Sequence, residues 1–235
     1  MLKTIALSWL ATLLACGGEP PSPPKAPEAP RAQQPPKEHS PVLKMRSELG
    51  SIDPAAVKRA FTALDDKFIE CQKRALDRVE VLSGGVQFFL RIAEDGAPKW
   101  AYLETSDIGD RPTERCLLDV VMGARWPRPD GGDAEARYGM DLPLQSTRPP
   151  NDWNAERIAG ALGKHQDAIV RCKAGASASF RATMYVAPGG KVLAAGVAMS
   201  SKDGEEQADC LADVLVKMKG LPSPGSWPAK VTFGL

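Results

Sequence analysis

The sequence predicts an α+β protein built as two tandem units, each running helix, strand, strand, helix, strand. Three observations predict it. The phrase CLLDVV at 116–121 returns as CLADVL at 210–215. Placing Cys71 on Cys172 brings two apolar stripes of helical spacing into register. Each stripe is then followed by alternating strand patterns separated by a glycine-containing turn. The units are expected at 46–144 and 153–235, joined by the linker 145–152, which contains QSTRPPND.

The first element of each unit is a helix. Val57, Phe61, Leu64, Phe68 and Cys71 in one unit meet Ile158, Leu162, His165, Ile169 and Cys172 in the other, an i, i+4, i+7, i+11, i+14 stripe that places the cysteine on the buried face. Asp53 before Pro54 and Asn154 before Ala155 are suitable capping residues for the two starts. A strand follows, with Val86, Phe88, Leu90 and Ile92 inward in one copy and Phe180, Ala182, Met184 and Val186 in the other. The turns EDG (94–96) and PGG (188–190) lead into second strands, KWAYLET and LAAGVAM, so each pair reads as a hairpin. The repeated cysteine phrase opens the second helix, with Leu117, Val120, Val121 and Ala124 on one face and Leu211, Val214, Leu215 and Met218 on its counterpart. Pro127 and Pro129 stop the first of these helices, Pro222 and Pro224 the second. ARYGMDL (136–142) and VTFGL (231–235) supply the closing strands.

The chain opens on MLKTIALSWLATLLA, where one cation at Lys3 precedes an apolar run too short to span a bilayer, which is the pattern of a secretory signal over 1–15. Leu13, Leu14 and Ala15 before Cys16 resemble a bacterial lipobox, so Cys16 is the expected acylation site and the new N-terminus. The alternative, an ordinary signal cleavage, wants a clean A-x-A triplet that the sequence does not supply. Several acyl chains on one residue make a stable membrane anchor. Gly17, where many bacteria use Asp to retain a lipoprotein at the inner membrane, points to the outer membrane. Residues 16–45 form a Pro-rich tether, whose stretch 17–41 at ~3.1 Å per residue reaches on the order of 75 Å if extended. His39 lies in this tether and is expected to be a solvated side chain of no special role.

Removing residues 1–15 takes away Lys3 alone, and 30 − 1 = 29 basic side chains then balance 29 acidic ones. A neutral chain lacks the clustered excess cation that nucleic acid requires, so no nucleic-acid partner is expected. No G-x-S-x-G, Walker or H-E-x-x-H pattern occurs, and the expectation is a non-enzyme with no cofactor and no metal. His165, the one histidine after the tether, stands where the first unit has Leu64 and reads as a partly buried, hydrogen-bonded side chain more readily than as a catalyst.

Four cysteines remain beside Cys16. In an exported chain, units of ~90 residues gain from internal covalent closure. Of the three possible pairings, only Cys71 with Cys116 and Cys172 with Cys210 respects the duplication. Metal ligation and dithiol redox chemistry call for tight C-x2-C-type spacing, which is absent. Trp100 and Tyr102 share one face of the second strand. They fit either an exposed aromatic patch for a partner or a surface covered by a helix or by the neighbouring unit.

IECQKRAL at the end of the first helix, the second cysteine in RCLLDVV, and WPRPDGGDAEARYGM together resemble the TonB C-terminal-like domain of the myxobacterial AgmX/PglI C-terminal type, over residues 52–142 and more weakly over 153–235. Gln72 departs from the tyrosine usual after the cysteine, Trp126 is followed directly by Pro127, and Leu221 replaces the tryptophan in the second unit. The resemblance implies helices packed on one face of a small antiparallel sheet. It also implies an interaction role in the cell envelope, in a motility or envelope-spanning complex, with an extended peptide of a partner protein laid along a free sheet edge. Binding of peptidoglycan or a lipid head group is the second reading, and a hydrolase dependent on His165 the third.

Overall fold

The computed structural model describes residues 49–235. The signal 1–15, Cys16 and the tether 16–45 lie outside the described residues. Chain order is α1 (Pro54–Thr62), α2 (Asp65–Leu76), β1 (Gly84–Ile92), β2 (Pro98–Ser106), α3 (Arg111–Met122) and β3 (Ala134–Leu142), then β4 (Asn151–Trp153), α4 (Ala159–Lys164), α5 (Gln166–Lys173), β5 (Phe180–Val186), β6 (Val192–Met199), α6 (Glu205–Val216) and β7 (Ala229–Gly234). The fold is α+β, with helices packed on two separate sheets. The first sheet is antiparallel in the order β2-β1-β3; the second is mixed, in the order β4-β7-β5-β6. The mixed sheet differs from the expected antiparallel one because the end of the interunit segment, Asn151–Trp153, adds as β4, parallel to Ala229–Val231 of β7.

The stripe expected to form one helix forms two in the first unit. α1 ends at Thr62 and α2 begins at Asp65, with Leu64 between them at φ −102°, ψ −1°. The second unit breaks at the same station, His165, at φ −109°, ψ 5°, and begins with a 3-10 turn over Ala155–Ile158. The backbone bonds match as well: Phe68 N–H to the Leu64 carbonyl at 3.1 Å and Ile169 N–H to the His165 carbonyl at 3.0 Å. The break was hidden because the bend keeps the stripe facing inward: Val57, Phe61, Leu64, Phe68 and Cys71 are all buried. Gly160 and Gly163, poor helix formers, accompany the more fragmented second copy.

Asp53 caps α1 by accepting the N–H groups of Ala55 and Ala56 at 2.9 and 3.2 Å. Asn154, its counterpart, makes no such bond to the backbone. Asp53→Ala is expected to lower stability by about 1 kcal/mol, and Asn154→Ala by much less, in parallel chemical denaturation curves.

The hairpin turns are duplicated in detail. Gly96 (φ +84°) and Gly190 (φ +76°) donate to the Ala93 and Ala187 carbonyls, each at 2.8 Å. A Cβ at Gly96 would lie 2.4 Å from the Trp126 carbonyl oxygen, and one at Gly190 2.5 Å from that of Leu221. Leu221 therefore occupies the tryptophan's station, and glycine is required at both turns by sign of φ and by space. Trp126 packs at 4.6 Å on the Phe61 ring and donates its indole N–H to the Val121 carbonyl. Gln72 is buried and ties the end of its helix to the loop and to the exit of β3, donating to the Leu82 and Pro143 carbonyls at 3.1 and 2.7 Å.

The two units share a seam. On β6 the residues facing away from the core of its own unit are small, Ala194, Gly196 and Ala198, which lets the N-terminal turn of α3 approach. Thr183 and Tyr185, on the same outer face of β5, are fully buried. Tyr185 donates its hydroxyl to the Ser83 carbonyl at 3.0 Å, and burial pushes its pKa up. The carboxylate of Glu114 is completely buried, accepting from the Ser106 hydroxyl (2.7 Å) and from Val197 N–H (3.0 Å). Arg111 reaches Glu205 and Asp209 of α6 at 2.5 and 2.9 Å.

Candidate functional site: the free edge of the first sheet

Two sheets have four edges, and the packing treats them differently. β2 and β6 lie against one another at the seam, where the Glu114 carboxylate takes the Val197 N–H that a new strand would otherwise use. β4 is three residues long. β3 is nine residues long and pairs with β1 along its whole length, without a register shift. Among the described residues nothing pairs with its other side.

Which backbone groups of β3 face outward follows from alternation. At its start, β1 directs Gly85 toward the β2 side: the Gly85 carbonyl accepts Asp107 N–H at 3.0 Å and the Gly85 N–H donates to the Asp107 carboxylate at 2.5 Å. Val86, Phe88 and Leu90 then turn toward β3, where they face Met140, Tyr138 and Ala136. The N–H and C=O groups of Glu135, Arg137, Gly139 and Asp141 are those left pointing away from the sheet. The same parity places Asp133 outward, and its carbonyl accepts Gly50 N–H at 2.8 Å, so the chain before α1 covers the start of this edge.

The second unit shows what such an edge accepts. β7 is the counterpart of β3, with Phe233-Gly234 matching Tyr138-Gly139, and on β7 the station is occupied by an added strand, β4. In the first unit the corresponding stretch of chain forms no strand there, making the isolated Ser51–Asp130 bridge and the Gly50 N–H bond to Asp133.

Side chains along the edge carry both signs of charge. The Arg137 guanidinium donates through Nε to both carboxylate oxygens of Glu104, at 3.0 and 3.1 Å, and lies 4.2 Å over the Phe89 ring. Glu135 pairs with Arg91 at 3.1 Å. Asp141 is exposed and makes no ion pair among the described residues. A groove of about 590 Å³ adjoins this end of the strand, lined by Gly85, Gly139 and Asp141 from the first unit and by Arg181 and Thr232 from the second.

Trp100 and Tyr102 stack with Phe89 in a ladder on the outer face of the first sheet, with ring centroids 5.5 Å (Phe89–Trp100) and 5.2 Å (Phe89–Tyr102) apart. The second unit covers most of it. Tyr102 is buried and its hydroxyl lies 3.4 Å from the Ser200 carbonyl; Trp100 is half-buried, with the Lys202 ammonium 6.0 Å above its ring. The disulfides are Cys71–Cys116, joining α2 to α3, and Cys172–Cys210, joining α5 to α6. His165 is half-buried, with Nδ1 2.9 Å from the Ala161 carbonyl. Among the described residues no helix is long and apolar enough to cross a membrane, and no group of three or more His, Cys, Asp or Glu side chains could hold a metal ion.

Fold and site together define a pair of disulfide-closed α+β units with one long edge strand that nothing pairs on its outer side among the described residues. No protein-family model, no curated protein and no solved structure matches the chain. Sequence reasoning did not single out β3 as the binding edge. The usable signal was the strand AEARYGMDL itself, whose alternate positions are polar and charged where the closing strand of the second unit, AKVTFG, has fewer charges.

Proposed function

We propose that this chain is a non-enzymatic cell-envelope lipoprotein, anchored through acylated Cys16 to the outer membrane, that presents its paired TonB-like units to a partner protein. In this reading an extended segment of the partner adds to β3. Main-chain hydrogen bonds to Glu135, Arg137, Gly139 and Asp141 give affinity, and the alternating side chains give selectivity. The observation that carries the reading is the nine-residue β3, unpaired on its outer side, in a molecule whose other edges are buried or short. The lipobox, the tether and the resemblance to TonB-like domains support the placement in the envelope.

Gly139→Pro tests it, because proline removes an outward N–H from an edge strand while leaving the bonds to β1 in place. In-cell crosslinking followed by capture of the full chain is expected to recover a specific envelope protein with the natural sequence and to lose it with Gly139→Pro. Equal recovery by both would sink the edge-binding reading.

A further inference from the structure

The strand is complementary to itself. Antiparallel pairing of β3 with β3 of a second copy must keep the outward residues opposite one another, and few registers then avoid like charges. Centring on Arg137 opposes two arginines, and centring on Tyr138 opposes Glu135 to Asp141 twice. Centring on Ala136 does pair Glu135 with Arg137. It also runs the second strand past Asp133, whose carbonyl is already taken by Gly50. Centring on Gly139 leaves that start alone. It places Arg137 opposite Asp141 twice, Tyr138 opposite Met140 twice and Gly139 opposite itself.

Both partners of the ion pair are free to make it. Among the described residues Asp141 has no ion partner, and Arg137 binds Glu104 through Nε, leaving its two terminal nitrogens for a second carboxylate. Gly139 fits the same picture. A Cβ there would meet nothing nearer than the Val86 carbonyl oxygen at 3.9 Å, and its φ is not positive, so nothing inside the chain demands glycine. Glycine within a strand is otherwise unfavourable, and it often marks where another backbone comes close.

From this we propose that two copies of the chain associate through β3, antiparallel and centred on Gly139, joining their first sheets into one six-stranded sheet. This rests on the reading of β3 as a strand acceptor and names a second copy as its occupant; a foreign segment would have to displace that copy.

Cysteine crosslinking of the full chain tests it. In the proposed register residue 139 faces its own equivalent at a separation suited to a disulfide, whereas residue 135 faces Pro143. Gly139→Cys is therefore expected to form a covalent dimer on mild oxidation. Glu135→Cys and the natural sequence, which controls for Cys16, are not. Adding Asp141→Arg to Gly139→Cys, or Arg137→Asp to Gly139→Cys, turns both ion pairs into like-charge contacts and should cut the yield roughly tenfold. An equimolar mixture of those two double variants restores opposite charges and should recover the yield. The inference is overturned if Gly139→Cys stays monomeric, if Glu135→Cys crosslinks as well as it does, or if the charge variants crosslink unchanged. Partner capture lost on Gly139→Pro without Gly139→Cys dimers would sink this inference alone. Dimers together with unaffected capture would sink the proposed function and leave the dimer standing.

Discussion

Replacing Cys71 and Cys116 together by alanine is expected to remove roughly 4 kcal/mol of stability, and the Cys172/Cys210 pair should behave alike. The bridges close loops with sequence separations of 45 and 38, and the chain-entropy estimate for loops of that length is about 4 kcal/mol each. The loss approaches the whole stability of a small domain. Cys71 and Cys172 are both buried and sit in separate apolar cores, so each bridge acts on its own unit. Losing both should leave a chain that does not complete folding. Urea denaturation without reductant, read by tryptophan fluorescence, measures the effect: each double replacement should lower the midpoint substantially. A change below about 1 kcal/mol would show that the bridges add little to the packing around them.

Glu114→Ala is expected to cost about 3 kcal/mol, since it leaves the Val197 N–H and the Ser106 hydroxyl buried without their acceptor. Gly196→Ala should cost about 2 kcal/mol by a related route. Its Cβ would lie 2.2 Å from a Glu114 carboxylate oxygen, and that side chain can withdraw only by giving up the same bonds. Once Glu114 has been truncated the new methyl group has room, so the double variant should cost about 3 kcal/mol, well short of the sum. Additive costs would contradict the seam geometry.

Burial holds Glu114 above the ordinary carboxylate range, against the hydrogen bond from Ser106, the nearby Arg111 and the Val197 N–H. The folded chain therefore keeps a proton at a pH where the unfolded chain has released it. The stability this confers is complete below the unfolded pKa and is lost as pH rises through the raised folded pKa. Glu114→Gln should fold and should lack that component: the difference in stability between natural and variant chains shifts in the variant's favour as pH rises through the window. A pH-independent difference would contradict it.

The duplication was legible because equivalent stations need the same chemistry: a cysteine on each buried stripe, a positive-φ glycine at each hairpin, proline after each second helix. The helix breaks at Leu64 and His165 were not, since hydrophobic spacing records which way a residue faces and not whether the backbone bends between turns. The seam was half legible. LAAGVAM carries small or apolar residues on both faces, the composition of a strand covered on both sides, while Trp100 and Tyr102 fitted either an exposed patch or a covered face, and the neighbouring unit supplies the cover. The role of Glu114 was invisible, as its partners Ser106 and Val197 are distant in sequence and the ion pairs of neighbouring Arg111 cross between units. The free edge emerged only once strand order showed β2 and β6 facing inward and β3 outward.

Amide hydrogen exchange along Ala134–Leu142, followed residue by residue by NMR in dilute solution, tests the unpaired edge most directly. Once dilution has separated the copies, the N–H groups of Arg137, Gly139 and Asp141 should exchange quickly, while those of Ala136, Tyr138 and Met140, bonded to β1, exchange slowly. Uniform slow exchange that persists on dilution would mean that the chain itself covers the strand, and the binding edge would have to be sought elsewhere.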